Sequence, residues 1–317
     1  MNSKFRVLFS VLIIFTILII GFFQNPVKET KRSLKVGVLQ LVSHPALDEI
    51  YKGIKENLPE SYQITLLNAQ GDQSQLAIMS EKLVKENDLV ISITTPASLS
   101  VASKTKDKPI VFSGVTYPLE SGLIESEEKS GNNITGVSDQ PPIEVQLKLI
   151  KEIQPNVKKL GVLYTISEDN SVRQLEKIKK LSDKYDLEIV SRGVSNNNDL
   201  QQIAEELISK VDSLYIPIDN GIASAMPIVT KVADKENKAI YPSSESMLKD
   251  GGFMTIGINQ YEIGKNTALI VKRVFAGDNP SDIPIYKIDN GDVILNEEKA
   301  IKLGIKLPEH IKYRKIN

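Results

Sequence analysis

Residues 89–98 read Leu-Val-Ile-Ser-Ile-Thr-Thr-Pro-Ala-Ser. A short β-rich apolar run passes straight into small polar residues and a proline, which predicts a buried strand followed at once by a helix. Thr95 reads as the N-cap and Pro96 as the first helical residue. Such a junction aims free backbone N–H groups and the positive end of the helix dipole beyond the strand. Residues 212–221, Asp-Ser-Leu-Tyr-Ile-Pro-Ile-Asp-Asn-Gly, repeat the pattern in the other half of the chain. Two such junctions in separate halves predict a small ligand with a carboxylate, held between two similar α/β lobes.

Working outward, β-rich runs alternate with helical patterns from Leu34 onward, the rhythm of a parallel sheet. The first half offers strands at Lys35–Leu39, Gln63–Leu67, Leu89–Ile93 and Pro109–Phe112, with helices at about 46–57, 74–86 and 97–104. Leu76, Met79, Leu83 and Val84 have the spacing of a buried helical stripe. A glycine- and proline-rich stretch, residues 114–142, reads as the crossing between lobes. The rhythm restarts with strands at Lys159–Leu163, Leu187–Ser191, Ser213–Ile216 and Ala239–Tyr241, and helices at 171–184, 199–209 and 221–236. Tyr261–Phe275 reads as a further helix, Asp292–Leu295 as a late strand, and the tail after Leu307 as poorly ordered. The predicted fold is therefore α/β, with two doubly wound parallel-sheet lobes joined by a hinge. Lobe 1 takes residues 34–138 plus about 258–279, and lobe 2 takes 139–257 plus about 280–317.

Composition narrows the function. A net charge of −1 advertises no nucleic-acid partner. The absence of cysteine excludes disulfides, thiolate metal sites, a cysteine nucleophile and a lipid anchor on cysteine. The two histidines, His44 and His310, are too far apart to read as a paired metal site, and no cofactor is expected. Gly251-Gly252 reads as a turn, because no dinucleotide or Walker fingerprint accompanies it, and no nucleophile elbow is present. An enzyme is accordingly disfavoured.

Val7 to Phe23 is an almost unbroken apolar run preceded by Lys4 and Arg6. It fits either a signal peptide or a short transmembrane helix. The run ends Ile20-Gly21-Phe22-Phe23-Gln24-Asn25-Pro26, a poor cleavage site. Residues 1–33 thus read as a signal anchor and tether that hold the body outside the membrane, with cleavage and secretion as the alternative.

Particular strings carry a resemblance. Leu41-Val42-Ser43-His44-Pro45-Ala46-Leu47-Asp48, Asn68-Ala69-Gln70-Gly71-Asp72-Gln73, Thr95-Pro96-Ala97 and Pro109-Ile110-Val111-Phe112 are four of them. Asn133-Ile134-Thr135-Gly136-Val137-Ser138-Asp139, Gly161-Val162-Leu163-Tyr164 and Ile218-Asp219-Asn220 are the others. From about Leu34 to Pro308 the chain resembles the solute-binding proteins of tryptophan/tyrosine-type ABC importers, which have the type I periplasmic-binding-protein fold. The resemblance implies two lobes joined by three crossovers, closing on an aromatic amino acid, with tryptophan favoured. It also implies a monomer that serves a separate permease and ATPase. Members are usually anchored by a lipid on cysteine, and here the run 7–23 would have to replace it. A signalling ectodomain, or a binding protein for another solute, would use the same fold.

Candidate ligand contacts follow the strand ends. Thr95 and Ser98 would grip a carboxylate, and Thr116 could add a hydroxyl from the same lobe. Asp219 and Asn220 are ligand contacts or simple caps. Asp139 is a cap, a hinge residue or the counter-charge for an α-amino group. Gln40 and Asn170 sit after the first strands of their lobes, where open α/β sheets place ligands. His44, Tyr164 and Tyr261 are aromatic contacts or ordinary packing.

Overall fold

Why the Leu89–Ile93 segment carries apolar residues almost without alternation is visible in its packing. In the computed structural model, which describes Phe15, Thr16 and residues 33–288 and 291–316, this strand is covered on both faces. Leu89, Ile91 and Ile93 join one core cluster and Val90 another, as expected for a parallel sheet sandwiched between helices.

The strand is β3 of a six-stranded parallel sheet. Its other members are β1 (Lys35–Gln40), β2 (Gln63–Asn68), β4 (Ile110–Ser113), β5 (Ile134–Ser138) and β11 (Tyr286–Lys287), in the order β11-β5-β4-β3-β1-β2. Helices α1 (Pro45–Asn57) and α10 (Gln260–Phe275) cover one face through Leu47, Ile50, Ile54, Ile263 and Val271. Helices α2 (Gln73–Glu86) and α3 (Thr95–Ala102) cover the other through Leu76, Leu83, Ala97 and Val101.

A second parallel sheet, β7-β6-β8-β9, repeats the arrangement with β6 (Lys159–Thr165), β7 (Glu188–Val194), β8 (Ser213–Ile216) and β9 (Ile240–Pro242). Helices α4 (Ile143–Ile153) and α5 (Asp169–Ser182) cover one face, α6 (Leu200–Ile208) and α8 (Met226–Lys235) the other. The short helices α7 (Asn220–Ser224) and α9 (Glu245–Lys249) follow β8 and β9. A three-stranded sheet joins this second half: β10 (Met254–Ile256), β12 (Val293–Leu295) and β13 (Arg314–Lys315), with α11 (Glu297–Leu303). Both main sheets reverse strand order beside their first strand, between β1 and β3 and between β6 and β8. A crevice outside the carboxyl ends opens at each such point.

Several sequence expectations are corrected. Residues 283–287 belong with the first sheet, because β11 pairs with Val137 and Ser138 and Ile283 and Ile285 enter that half's core. A two-residue edge strand has no periodicity to read. The stretch 114–142 contains β5, which the glycine content masked. The segment 221–236 is interrupted at Ala225, where Met226-Pro227 starts a new helix. The tail is tied down by buried Ile311 and by β13. Residues 7–23 lie outside the described residues apart from Phe15 and Thr16. Among the described residues no helix is long and apolar enough to cross a membrane.

Helices α1 and α10 touch backbone to backbone. A Cβ on Gly264 would lie 2.0 Å from the Ile50 carbonyl oxygen, and one on Gly53 would lie 2.3 Å from that of Tyr261. Backbone cannot rotate away as a side chain can, so Gly264→Ala must separate the helices. It is expected to lower the unfolding free energy by about 1–3 kcal/mol in urea titration. An unchanged midpoint and slope would show that this contact does not hold the pair.

Candidate functional site

The loops after corresponding strands of the two sheets face each other. His44 follows β1, Thr94 and Thr95 follow β3, Thr116 follows β4 and Asp139 follows β5. Asn170 follows β6 and Asp219 and Asn220 follow β8. All eight line one narrow cavity of about 20 Å³, whose apolar wall includes Leu47, Ile218 and Met247.

On the first half, Thr94 is the N-cap of α3, with φ 91° and ψ 162°. That region is nearly reserved for glycine and costs about 1–3 kcal/mol for other residues. The strain turns the Thr94-Thr95 pair toward the cavity, and neither hydroxyl has a hydrogen-bond partner in the protein. The cap therefore lies one residue before the expected Thr95, and it leaves the first N–H groups of α3 unpaired. Thr116 Oγ1 donates to Asp139 Oδ1 at 2.9 Å. Burial raises the Asp139 carboxyl to about 6, although the Thr116 bond and its own backbone N–H oppose the rise. Gly114, at φ +65°, passes close by, and a Cβ there would lie 3.6 Å from Asp139 Oδ2.

On the second half, Asp219 is fully engaged. Its Oδ2 accepts from the Thr165 N–H at 2.6 Å, and its Oδ1 accepts from Thr165 Oγ1 at 2.7 Å and the Ile222 N–H at 2.8 Å. It acts as a cap that shapes the wall. Asn170 donates through Nδ2 to the Ile218 carbonyl at 2.6 Å, which leaves its buried Oδ1 without a partner. Asn220 donates through Nδ2 to Glu168 Oε2 at 2.6 Å. Its Oδ1 meets His44 Nε2 across the cleft at 3.2 Å. Glu168 also accepts the Asn220 and Gly221 N–H groups at 3.1 and 2.7 Å. Burial and the Asp219 charge push its carboxyl well above the ordinary range. Burial lowers the His44 pKa, against the Asn220 bond and the Asp48 charge, so its ring is neutral at neutral pH. Two contacts flank the cleft: Ser121 Oγ donates to Asp169 Oδ2 at 2.7 Å in a half-buried setting, and Lys177 Nζ meets Glu120 at 2.6 Å in a more exposed one.

Five buried side-chain polar atoms of the described residues lack a partner, and four of them (His44 Nδ1, Thr94 Oγ1, Thr95 Oγ1 and Asn170 Oδ1) belong to residues lining this one cavity. Four expected contacts lie elsewhere. Gln40 spends its amide on the Val42 carbonyl and Asp48, and Ser98 bonds Ser92 and the Thr94 carbonyl. Tyr164 packs against the core of the second half. Tyr261 bonds Glu56 and Asn57 on the outer side of α1. Thr94, Ser244, Met247 and Gln260 line the cavity without having been singled out, and Glu168 stands directly behind Asn220. The doubled threonine was the one visible signal among them.

Two parallel-sheet halves closed on a cavity with unpaired polar atoms from both sides define a solute-binding protein of the periplasmic type. The chain belongs to the ABC transporter substrate-binding protein family, whose description matches residues 35–315. It is 34% identical to a tyrosine-binding protein of Clostridioides difficile (strain R20291), over 92% of this chain and 88% of that one. An ABC domain from Streptococcus pneumonia, solved in complex with L-Trp, superposes with a TM-score of 0.87 at 39% identity, covering 90% of this chain and 100% of that chain. A ligand-free, open substrate-binding protein with adhesive properties from Clostridium difficile gives 0.65 at 33% identity, with the same coverages.

Asp139 links the site to stability. Its folded pKa stands above its ordinary value, so its charge opposes folding increasingly as pH rises from about 4 through about 6. Asp139→Asn keeps an acceptor for Thr116 and removes that charge. The unliganded variant is expected to be more stable than the parent by about 1–3 kcal/mol at neutral pH, with the gain gone below pH ~4. Chemical denaturation at two pH values reads this, and a variant less stable at neutral pH would contradict it.

Proposed function

We propose that this protein binds an aromatic α-amino acid, L-tryptophan foremost, between its two halves and delivers it to an ABC permease and its ATPase. The observation that carries the reading is the convergence of unpartnered buried polar atoms from both halves on one cavity that also holds Asp139. In this reading Asp139 takes the ammonium group. The Thr94 and Thr95 hydroxyls, with the first N–H groups of α3, take the carboxylate. Leu47, Ile218 and Met247 pack the side chain, in place of the aromatic stacking on Tyr164 or Tyr261 anticipated from the sequence. The L-Trp complex and the tyrosine-binding relative support the aromatic class. The body works on the extracytoplasmic face, held there by residues 7–23.

Thermal shift against the common amino acids tests the reading. A ligand at 100 times its Kd adds about 2.7 kcal/mol, so L-tryptophan is expected to raise the midpoint by several degrees. Affinity is also expected to weaken as pH drops below about 6, because Asp139 must lose its proton to meet the ammonium. A flat response to all amino acids, with a rise for another solute, would remove the proposed substrate.

A further inference from the structure

Glu168 does not line the cavity, yet it is buried and its side-chain carboxyl accepts from three N–H groups around Asn220. Two of those donors are backbone amides, fixed by the start of α7. The third is Asn220 Nδ2, which therefore points at Glu168 and leaves Oδ1 as the atom facing His44. Oxygen and nitrogen of an amide are distinguished by their network, and here Glu168 Oε2, which already accepts the Asn220 backbone N–H, decides the matter. An amide oxygen can only accept, so His44 Nε2 must carry the proton that bridges the cleft. In a neutral ring the other nitrogen, Nδ1, is then a bare acceptor, and it is buried, unpartnered and carried by a residue of the cavity wall. Asp48 is the nearest charge on α1, and it is held by Gln40 and Ser43.

We propose that Glu168 is a positioning residue of the ligand site: through Asn220 it fixes the His44 tautomer, so that Nδ1 receives an N–H or O–H donor from the bound ligand. Only the last step rests on the amino-acid reading above. The relay itself is a property of the unliganded closed protein. It would also tie recognition to closure, since a bond that joins the two halves sets which ring nitrogen the ligand meets.

The chain has two histidines, so nitrogen NMR of protein labelled with ¹⁵N-histidine gives two rings, and His310→Gln assigns them. His44 is expected as the Nε2–H tautomer at neutral pH. Glu168→Gln, which can offer its own N–H to Asn220, is expected to mix or invert the tautomer and to weaken L-tryptophan binding roughly tenfold, the scale of one misdirected hydrogen bond. On saturation with L-tryptophan the Nδ1 signal of the parent should move in the direction of an accepted hydrogen bond. An Nδ1–H or charged His44 in the parent, or an unchanged tautomer in a folded Glu168→Gln, would overturn the relay. An unmoved Nδ1 while calorimetry shows binding would overturn its role toward the ligand. If L-tryptophan does not bind while the Nε2–H tautomer depends on Glu168, the relay stands and the substrate reading fails. The parent tautomer is read without Glu168→Gln, since His310→Gln alone assigns the spectrum, so a Glu168→Gln that does not fold leaves the parent test in force.

Discussion

A buried polar atom must find a hydrogen bond, and the closed cleft of this protein leaves several without one. Each unsatisfied group costs about 1–3 kcal/mol, and Asp139 adds the cost of a desolvated carboxylate. The His44–Asn220 bond spans the cleft, but it is a single bond at 3.2 Å. The flanking Glu120–Lys177 pair is exposed, where such pairs contribute about 0–1 kcal/mol. The half-buried Ser121–Asp169 bond adds a further contact, and in the proposed reading a ligand that supplies donors and acceptors to the unpaired atoms would shift the balance toward closure.

The two sheets make this arrangement reproducible. Each reverses strand order beside its first strand, so four corresponding loops converge without any long insertion. Backbone contact between Gly53 and Gly264 sets α1 firmly against α10, and with it the loop that carries His44. Thr94 is held in a strained conformation by the same framework, and its hydroxyl makes no bond to the helix it caps. Thr94 through its backbone and Asp139 through its buried carboxyl both cost the unliganded fold stability.

The strand ends were legible because a buried parallel strand is a continuous apolar run and its helix begins with small polar residues. That reading brought His44, Thr95, Thr116, Asp139, Asn170, Asp219 and Asn220 to one cavity. It did not separate residues that face the cleft from those that face the core. Ser98 lies one turn into α3 and points back at β3, and Gln40 turns onto the loop beyond β1. Thr94 was signalled only by the doubled threonine, since no residue type announces its backbone conformation. Glu168 was hidden because its role exists only through Asn220, a partner 52 residues away. Strand β11 and the β13 tail escaped because two residues at a sheet edge carry no period.

The central claim is that the cavity recognises both charged ends of an amino acid. Calorimetric titration with L-tryptophan, tryptamine and indole-3-propionate tests it most directly, since the three share a ring and differ in which charged group they keep. The account predicts that L-tryptophan binds and that each truncated analogue loses at least tenfold in affinity, about 1.4 kcal/mol for each missing partner. Equal binding of either analogue would contradict it, because the unpaired atoms around Asp139 or around Thr94 and Thr95 would then not be the ones that hold the ligand.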